Sequence, residues 1–397
     1  MKEFLEGSAA VARAVKLCKP GVISAYPITP QTHIVEELAK EIADGKLNSR
    51  FVNVESEHSA ASVVLGAVAT GVRAYTATSS QGLLYMSEVL FNIAGLRLPL
   101  VLTCANRSVS APINIWNDHQ DSISMRDTGW IQFYVENMQE IVDLHLMGYR
   151  LGEDKSIMLP VMVCMDGYIL THGIETVDIP TQEEVDRFLP AYKPLYKLDP
   201  QDPLTMGLLA DPDYYMETRY AIQETHKDVV KLIPKITQEF YKVFGRQYNG
   251  LIEEYRTQDA ERVIVGMGSV CGTIKDVVDE LRSKGKKVGL LKIITYRPLS
   301  CQEIYEALKN IPKVAVLDRA LSLGSYAPVA SEIKAIFFSK KIKPKVISSF
   351  ILGLGGRDIT KDSIKEIFRL LNLKEKSGEF IDLKPELLRE SIHGLDV

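Results

Sequence analysis

The sequence predicts an α/β protein built from two doubly wound domains with mostly parallel sheets, joined by a Pro-rich linker. Three observations carry that expectation. Short apolar runs alternate with segments of helical periodicity, the pattern of repeated βαβ units. The alternation occurs twice, over residues 1–175 and again from about residue 258 to the end. Between the two, Pro180, Pro190, Pro194, Pro200, Pro203 and Pro212 punctuate an extended linker rich in Asp and Tyr. A chain of 397 residues is also too long for one ordinary core.

In chain order, residues 5–18 (LEGSAAVARAVKLC) place Ala10, Val11, Ala14, Val15 and Cys18 at helical spacing, and Pro20-Gly21 stops the helix. VISAY (22–26) is the first strand, after which Pro27 and Pro30 force the backbone around Thr29 out of regular structure. Helical periodicity resumes from His33 to Ala43, so Thr29 and Thr32 lie beside a helix N-terminus, whose free N–H groups favour an anion. RFVNVES is the second strand and EHSAASVVLGAVATG a helix of mostly small residues, suited to close approach of another helix or subunit. Arg73 to Ala77 is the third strand, ending in the turn Thr78-Ser79-Ser80-Gln81-Gly82 before the helix LLYMSEVLFNIAG. LPLVLTCAN is the fourth. After Arg107 comes SVSAPINIWNDHQDSISMRDTGW, too polar and too long to be an idle connection. IMLPVMVCMDGY (157–168) is a fifth strand, closed by an acid and a glycine, with Thr171 and His172 close behind.

The 175–250 stretch reads as a tether over the surface followed by a supporting helix from Tyr220 to Phe244, which completes a first domain of residues 1–250. The second domain, 258–397, opens with ERVIVGMGSVCGTIKDVVDELRSKG, a strand, glycine turn and amphipathic helix. KVGLLKIIT, VAVLDRA and KVISSFILGLGG supply further strands, parallel by the crossover rule. Helices follow Arg297-Pro298, Gly324 and Thr360.

Composition excludes several classes of function. With 46% hydrophobic and 25% charged residues and a formal charge of -4, no field of one sign points to nucleic acid or a membrane surface. The five cysteines are scattered singly with no CxxC pair, so buried thiols in a reducing compartment are expected, and no iron–sulfur cluster or zinc is expected in this chain. The N-terminus lacks the apolar core of a signal peptide and no run of about 18 apolar residues occurs, which points to the cytoplasm.

In an open parallel sheet, ligands collect at the C-terminal ends of the strands. Those ends carry Thr29, Glu57, Ser79, Ser80, Gln81, Gly82 and Arg107: one acid, one permanent cation and several small donors. Glu57 could simply cap the next helix, but it is bracketed by Thr29 and the TSSQG turn. Arg107 at a buried strand end needs an anion, either a bound carboxylate or Asp118 or Asp121. GMGS (266–269) has the look of a phosphate cradle, or of glycines serving only a turn. NDHQD (117–121) has one histidine and no i,i+4 partner, a weak metal signal.

The set YPITPQT, ESEHSA, ATSSQGLLYM, NRS with NDHQDSISMRDTGW, and MDGYILTHGIE resembles the alpha subunit of pyruvate:ferredoxin oxidoreductase and its 2-oxoacid relatives. The resemblance implies a thiamine diphosphate-dependent enzyme of several subunits, oxidising pyruvate with coenzyme A to acetyl-CoA and carbon dioxide and passing electrons to ferredoxin. Residues 1–250 would be the pyrimidine-type domain and 258–397 a transketolase C-terminal-like domain. It also implies catalytic roles for Glu57 on the pyrimidine ring, Arg107 on the substrate carboxylate and Thr29 on the substrate oxygens. Pro27, Ile28, Ser79, Ser80 and Gln81 would join Glu57 in holding the cofactor. MDGY lacks the pattern that binds diphosphate and Mg²⁺, so these would be held mainly by a beta subunit, and the [4Fe-4S] clusters by gamma and delta subunits. The same chemistry on 2-oxoisovalerate or 2-oxoglutarate, or a non-catalytic scaffold role, are the alternatives.

Overall fold

The computed structural model describes residues 2–373 and 375–388; residues 389–397 of the expected second domain lie outside them. The first half runs β1 (Lys2–Glu6), α1 (Gly7–Cys18), β2 (Val22–Ser24), α2 (Thr32–Ala43), β3 (Arg50–Val52), α3 (Glu57–Ala69), β4 (Ala74–Thr78), α4 (Ser80–Tyr85), α5 (Ser87–Gly95) and β5 (Val101–Asn106). It continues through α6 (Gln120–Ser124), β6 (Ile131–Tyr134), α7 (Met138–Gly152), β7 (Val161–Asp166), β8 (Ile174–Asp178), α8 (Gln182–Phe188) and α9 (Pro212–Phe244). Pairing of β2 with β3 and β4, of β4 with β5, and of β7 with β5 and β6 is parallel throughout. All these strands therefore point their C-terminal ends, and the residues just beyond them, to one edge of the sheet. β1 and β8 form a separate antiparallel pair, Glu6 opposite Ile174.

The second half runs β9 (Ile252–Tyr255), β10 (Arg262–Gly266), α10 (Val270–Ser283), β11 (Val288–Ile293), β12 (Thr295–Arg297), α11 (Cys301–Leu308), β13 (Lys313–Asp318), α12 (Pro328–Phe337), β14 (Val346–Ile351), α13 (Lys361–Leu370) and β15 (Glu379–Phe380). Its six-stranded sheet has the order β15-β14-β13-β10-β11-β9. Because β11 follows β10 on one side and β13 lies on the other, the order reverses between β10 and β13, which opens a crevice at their C-terminal ends.

Local chemistry explains the main boundaries. Ser56 caps α3 by accepting the Ser59 N–H at 3.2 Å, so Glu57 opens this helix rather than closing the strand before it. The long α9 begins at Asp211-Pro212 and ends where Gly245 turns left-handed at φ 71°. The helix expected over LLYMSEVLFNIAG is divided into α4 and α5 at Met86.

Among the features that went unread in the sequence, two join the halves of the fold. β6 and α7 follow the long loop, and α7 is buried on nearly every face, its polar residues Glu140, Asp143 and His145 included. β12 leaves the second sheet and pairs antiparallel with β6 at the edge of the first, whose seven strands run β12-β6-β7-β5-β4-β2-β3. At the same seam Lys292 of β11, with no exposed surface, reaches Glu136 at 2.7 Å and also pairs with Glu140 at the start of α7. A buried ammonium needs such partners, and here they come from the other half.

Candidate functional site

The turn 25–31 leaves β2 under the direction of Gln31, a residue the sequence did not single out. Its fully buried side chain donates to the Ala77 carbonyl of β4 at 2.8 Å and accepts the Ile28 N–H at 3.3 Å. Pro27 and Thr29 are thereby held on the surface and Ile28 partly covered. Arg107, just past β5 and only 7% exposed, donates from Nη1 to the Thr29 carbonyl at 3.0 Å and from Nε to the Asn114 carbonyl at 3.0 Å.

Neither Asp118 nor Asp121 pairs with that guanidinium, against the structural alternative raised by the sequence. Asp121 accepts the backbone N–H of Arg107 instead, and Asp118 accepts those of Gln120 and Gly355. Among the described residues no carboxylate forms an ion pair with Arg107. Burial draws its pKa below the usual arginine value, with Tyr168 and Asp121 acting the other way. A positive charge that is largely buried and carries no counter-ion favours an incoming anion.

The Ser79–Gly82 turn forms the second part. Ser79 Oγ donates to Ala105 O at 2.7 Å; Ser80 Oγ donates to Ser108 O and also lies against Gln81 Oε1. Glu57 reaches this turn from the first residue of α3. A Cβ placed on Gly82 would stand 2.8 Å from Glu57 Oε1 and 2.5 Å from Thr78 Oγ1, so glycine is what lets the carboxylate and hydroxyl meet over α4. The Thr78 hydroxyl is buried and has no hydrogen-bond partner, an orphan donor beside the carboxylate.

Glu57 makes no hydrogen bond or ion pair to Thr29 or Arg107 among the described residues. The two parts are instead joined by Asp121, fully buried on α6. It accepts from Ser80 N at 2.9 Å, Arg107 N at 3.0 Å, Ser122 N at 2.7 Å and Asn106 Nδ2 at 2.8 Å. Burial raises its pKa to about 6 against the pull of those four donors. In the sequence Asp121 stood as one of two acids in a polar loop, and nothing local distinguishes it from Asp118.

The GMGS turn does hold an anion, and it belongs to this chain. Asp166, ending β7 in the MDGY motif, accepts Ser269 N at 2.8 Å and the Ser269 hydroxyl, while its other oxygen lies 2.9 Å from both His119 Nε2 and Arg319 Nη1. Burial acts to raise this carboxyl, but Arg319, His119 and Ser269 outweigh it and hold it well below the usual range. The crevice between β10 and β13 is filled from the first half. NDHQD is likewise a clamp rather than a metal site: His119 N donates to Arg319 O at 2.7 Å, Gln120 Oε1 accepts Leu321 N at 2.8 Å, and Asp118 binds Gly355. Four of the five cysteines are buried and none is bonded to another.

Comparison with known proteins gives a consistent result. The family described as pyruvate flavodoxin/ferredoxin oxidoreductase, thiamine diphosphate-binding, matches residues 13–238, and pyruvate:ferredoxin oxidoreductase core domain II matches residues 260–364. Pyruvate synthase subunit PorA of Methanothermobacter thermautotrophicus is 51% identical over 384 residues, covering 97% of this chain and 99% of that one. A solved 2-oxoglutarate:ferredoxin oxidoreductase from Magnetococcus marinus, with 2-oxoglutarate, coenzyme A and succinyl-CoA bound, aligns with TM-score 0.69 at 19% identity, over 93% of this chain. This chain spans 65% of the length of that one. A split-gene transketolase in an inactive β4 tetramer aligns with TM-score 0.55 at 11% identity, over 93% of this chain and 98% of the other.

Proposed function

This chain belongs to the pyruvate:ferredoxin oxidoreductase family, and from that premise we propose that it is the alpha subunit that converts pyruvate and coenzyme A to acetyl-CoA and carbon dioxide, electrons passing to ferredoxin. The supporting observation is Arg107, a cation without a carboxylate partner, aimed by the Thr29 and Asn114 carbonyls. Its remaining donors would take the substrate carboxylate, and the Thr29 hydroxyl, exposed beside it, would steady the substrate oxygens.

The residues around Glu57 suit the aminopyrimidine end of thiamine diphosphate. The half-buried Glu57 carboxylate, which the missing side chain at Gly82 lets lie close over α4, supplies the polar partner that a flat, nitrogen-rich ring needs. When bound, the cofactor supplies the carbanion-stabilising centre on which a 2-oxoacid loses carbon dioxide. Glu57 would hold the proton shared with the ring nitrogen. Ser79, Ser80, Gln81, Pro27 and Ile28 would shape the slot around it.

The diphosphate and Mg²⁺ fall to a beta subunit in this reading, supported by Asp166 and the GMGS turn being engaged with each other. Gamma and delta subunits would carry the [4Fe-4S] clusters that feed ferredoxin. Residues 1–250 would serve as the pyrimidine-type unit and 258–397 as the transketolase-like unit, in a cytoplasmic assembly; no helix among the described residues is long and apolar enough to cross a membrane.

The test is the enzyme co-expressed with its partner chains and offered a panel of 2-oxoacids. Pyruvate is expected to show the highest kcat/KM, and a higher value for 2-oxoisovalerate or 2-oxoglutarate would replace it. Arg107→Ala should lower kcat/KM for pyruvate about a hundredfold or more with bound thiamine diphosphate unchanged. Parallel loss of cofactor would assign Arg107 to the fold instead.

A further inference from the structure

A cluster outside this machinery remains unexplained. Glu6 ends β1, His33 is the second residue of α2, and His172 lies in the loop between β7 and β8. One donor atom from each lies within 4.8 Å of the others. His33 Nδ1 stands 2.8 Å from Glu6 Oε1, and the two imidazole centroids are 4.7 Å apart. We propose that Glu6, His33 and His172 bind a divalent transition metal, with Zn²⁺ the best match.

The donor set carries the choice of ion. Two imidazole nitrogens and one carboxylate oxygen suit zinc, with an open position for water, whereas Mg²⁺ and Ca²⁺ select oxygen ligands. The ring of His172 is held as ligand rings are held. Thr171 Oγ1, which accepts the Tyr168 N–H at 2.8 Å, lies 2.7 Å from His172 Nδ1, and the Tyr168 ring stacks on the imidazole at 4.9 Å and 26°. That leaves Nε2 as its outward nitrogen. A plain surface pair between Glu6 and His33 would be worth little and would give no reason for a second imidazole to face it.

The site would staple three segments next to the substrate side. His33 follows Thr29 by one helical turn, and Gly167 packs so closely on Pro30 that a Cβ there would lie 2.6 Å from the Pro30 Cγ. Binding is a property of this chain alone and does not depend on the catalytic assignment.

The assembled enzyme, stripped with a chelator, is dialysed without oxygen against graded Zn²⁺ in excess Mg²⁺ and analysed for metal, beside His33→Ala and His172→Ala. About one more Zn²⁺ per chain is expected in the unsubstituted enzyme than in either variant, with a Zn²⁺-dependent rise in unfolding temperature that both variants lack. Equal uptake by all three would overturn the site, as would uptake by none. Unfolding temperatures measured without metal, expected to be alike, show that the variants are folded; a variant that fails this control is replaced by His33→Gln or His172→Gln, for which the same loss of Zn²⁺ is required.

Discussion

Gly82→Ala tests the meeting of Glu57 with the α4 turn most directly. The backbone at Gly82 is ordinary right-handed helix, so alanine itself would be favoured there by about 1 kcal/mol. The obstacle is space: the new methyl would stand 2.5 Å from Thr78 Oγ1 and 2.8 Å from both Cγ and Oε1 of Glu57. Thr78 is fully buried and β-branched, hence fixed, so the start of α4 must shift away from it, and the glutamate on the more open helix start must retreat as well, by about half an ångström or more. Displacing a catalytic group by about 1 Å costs about a hundredfold in rate, or roughly 2.7 kcal/mol of transition-state stabilisation. We therefore expect kcat/KM for pyruvate in the assembled enzyme to fall by about 30- to 100-fold, with weaker thiamine diphosphate binding by calorimetry. The unfolding temperature should fall modestly, because overpacking costs about 1–3 kcal/mol against a helix preference of about 1 kcal/mol. Turnover and cofactor affinity both within about twofold of the unsubstituted enzyme would refute the placement of Glu57.

Asp166→Asn leaves Arg319 and His119 without their shared anion and should cost about 3–5 kcal/mol, read as a lower unfolding temperature. Since the folded pKa of Asp166 is held low, its contribution is present above the unfolded value of about 3.9 and is lost as pH falls through the folded one; acid should loosen the seam only below about pH 4. Asp121 has the opposite sign. Its pKa is raised to about 6, so the contribution is complete below the unfolded value and lost as pH rises through the folded one. The destabilisation caused by Asp121→Asn should accordingly be larger near about pH 4.5 than near about pH 7.5 by calorimetry, and a penalty that grew with pH would contradict this.

The strand ends that hold the candidate site were legible because apolar runs and their small-residue stops are local properties of the chain. Thr29 and Arg107 were singled out, and the fold brings them within 3.0 Å. What the sequence hid were relations between distant segments. GMGS was visible as a cradle, but nothing in it shows that the anion would come from Asp166, about a hundred residues earlier and on the other half. Gln31, Thr78 and Asp121 carry the geometry of the site through buried side chains whose roles depend on partners 41 or 46 residues away or on having no partner. The helix α7 was missed although its apolar residues keep helical spacing, and its buried polar residues Asp143 and His145 depend on partners elsewhere in the chain. Both are held, Asp143 by Arg246 and Tyr248 and His145 by Thr103.

Asn114 ties the second half to the substrate side. Its Nδ2 donates to Gly355 O at 3.1 Å, its Oδ1 accepts Ser108 Oγ and Trp116 N, each at 2.8 Å, and its backbone carbonyl orients Arg107 through Nε. Gly355 lies just beyond β14, so the aim of Arg107 depends on docking between the halves as well as on β5. Asn114→Ala removes three side-chain bonds worth about 0.5–1.5 kcal/mol each and frees the loop that carries the carbonyl. If Arg107 grips the substrate carboxylate before and during reaction, as proposed, its loosening should appear as weaker uniform binding: KM for pyruvate up about tenfold, kcat little changed. Asn114→Asp keeps both acceptor bonds but faces the Gly355 carbonyl with a second acceptor, which isolates the link to the second half. If that variant raised KM as Asn114→Ala does, the link to the second half would help aim Arg107; if KM stayed put while the unfolding temperature fell, the contact would serve assembly of the fold and Arg107 would be aimed without the second half.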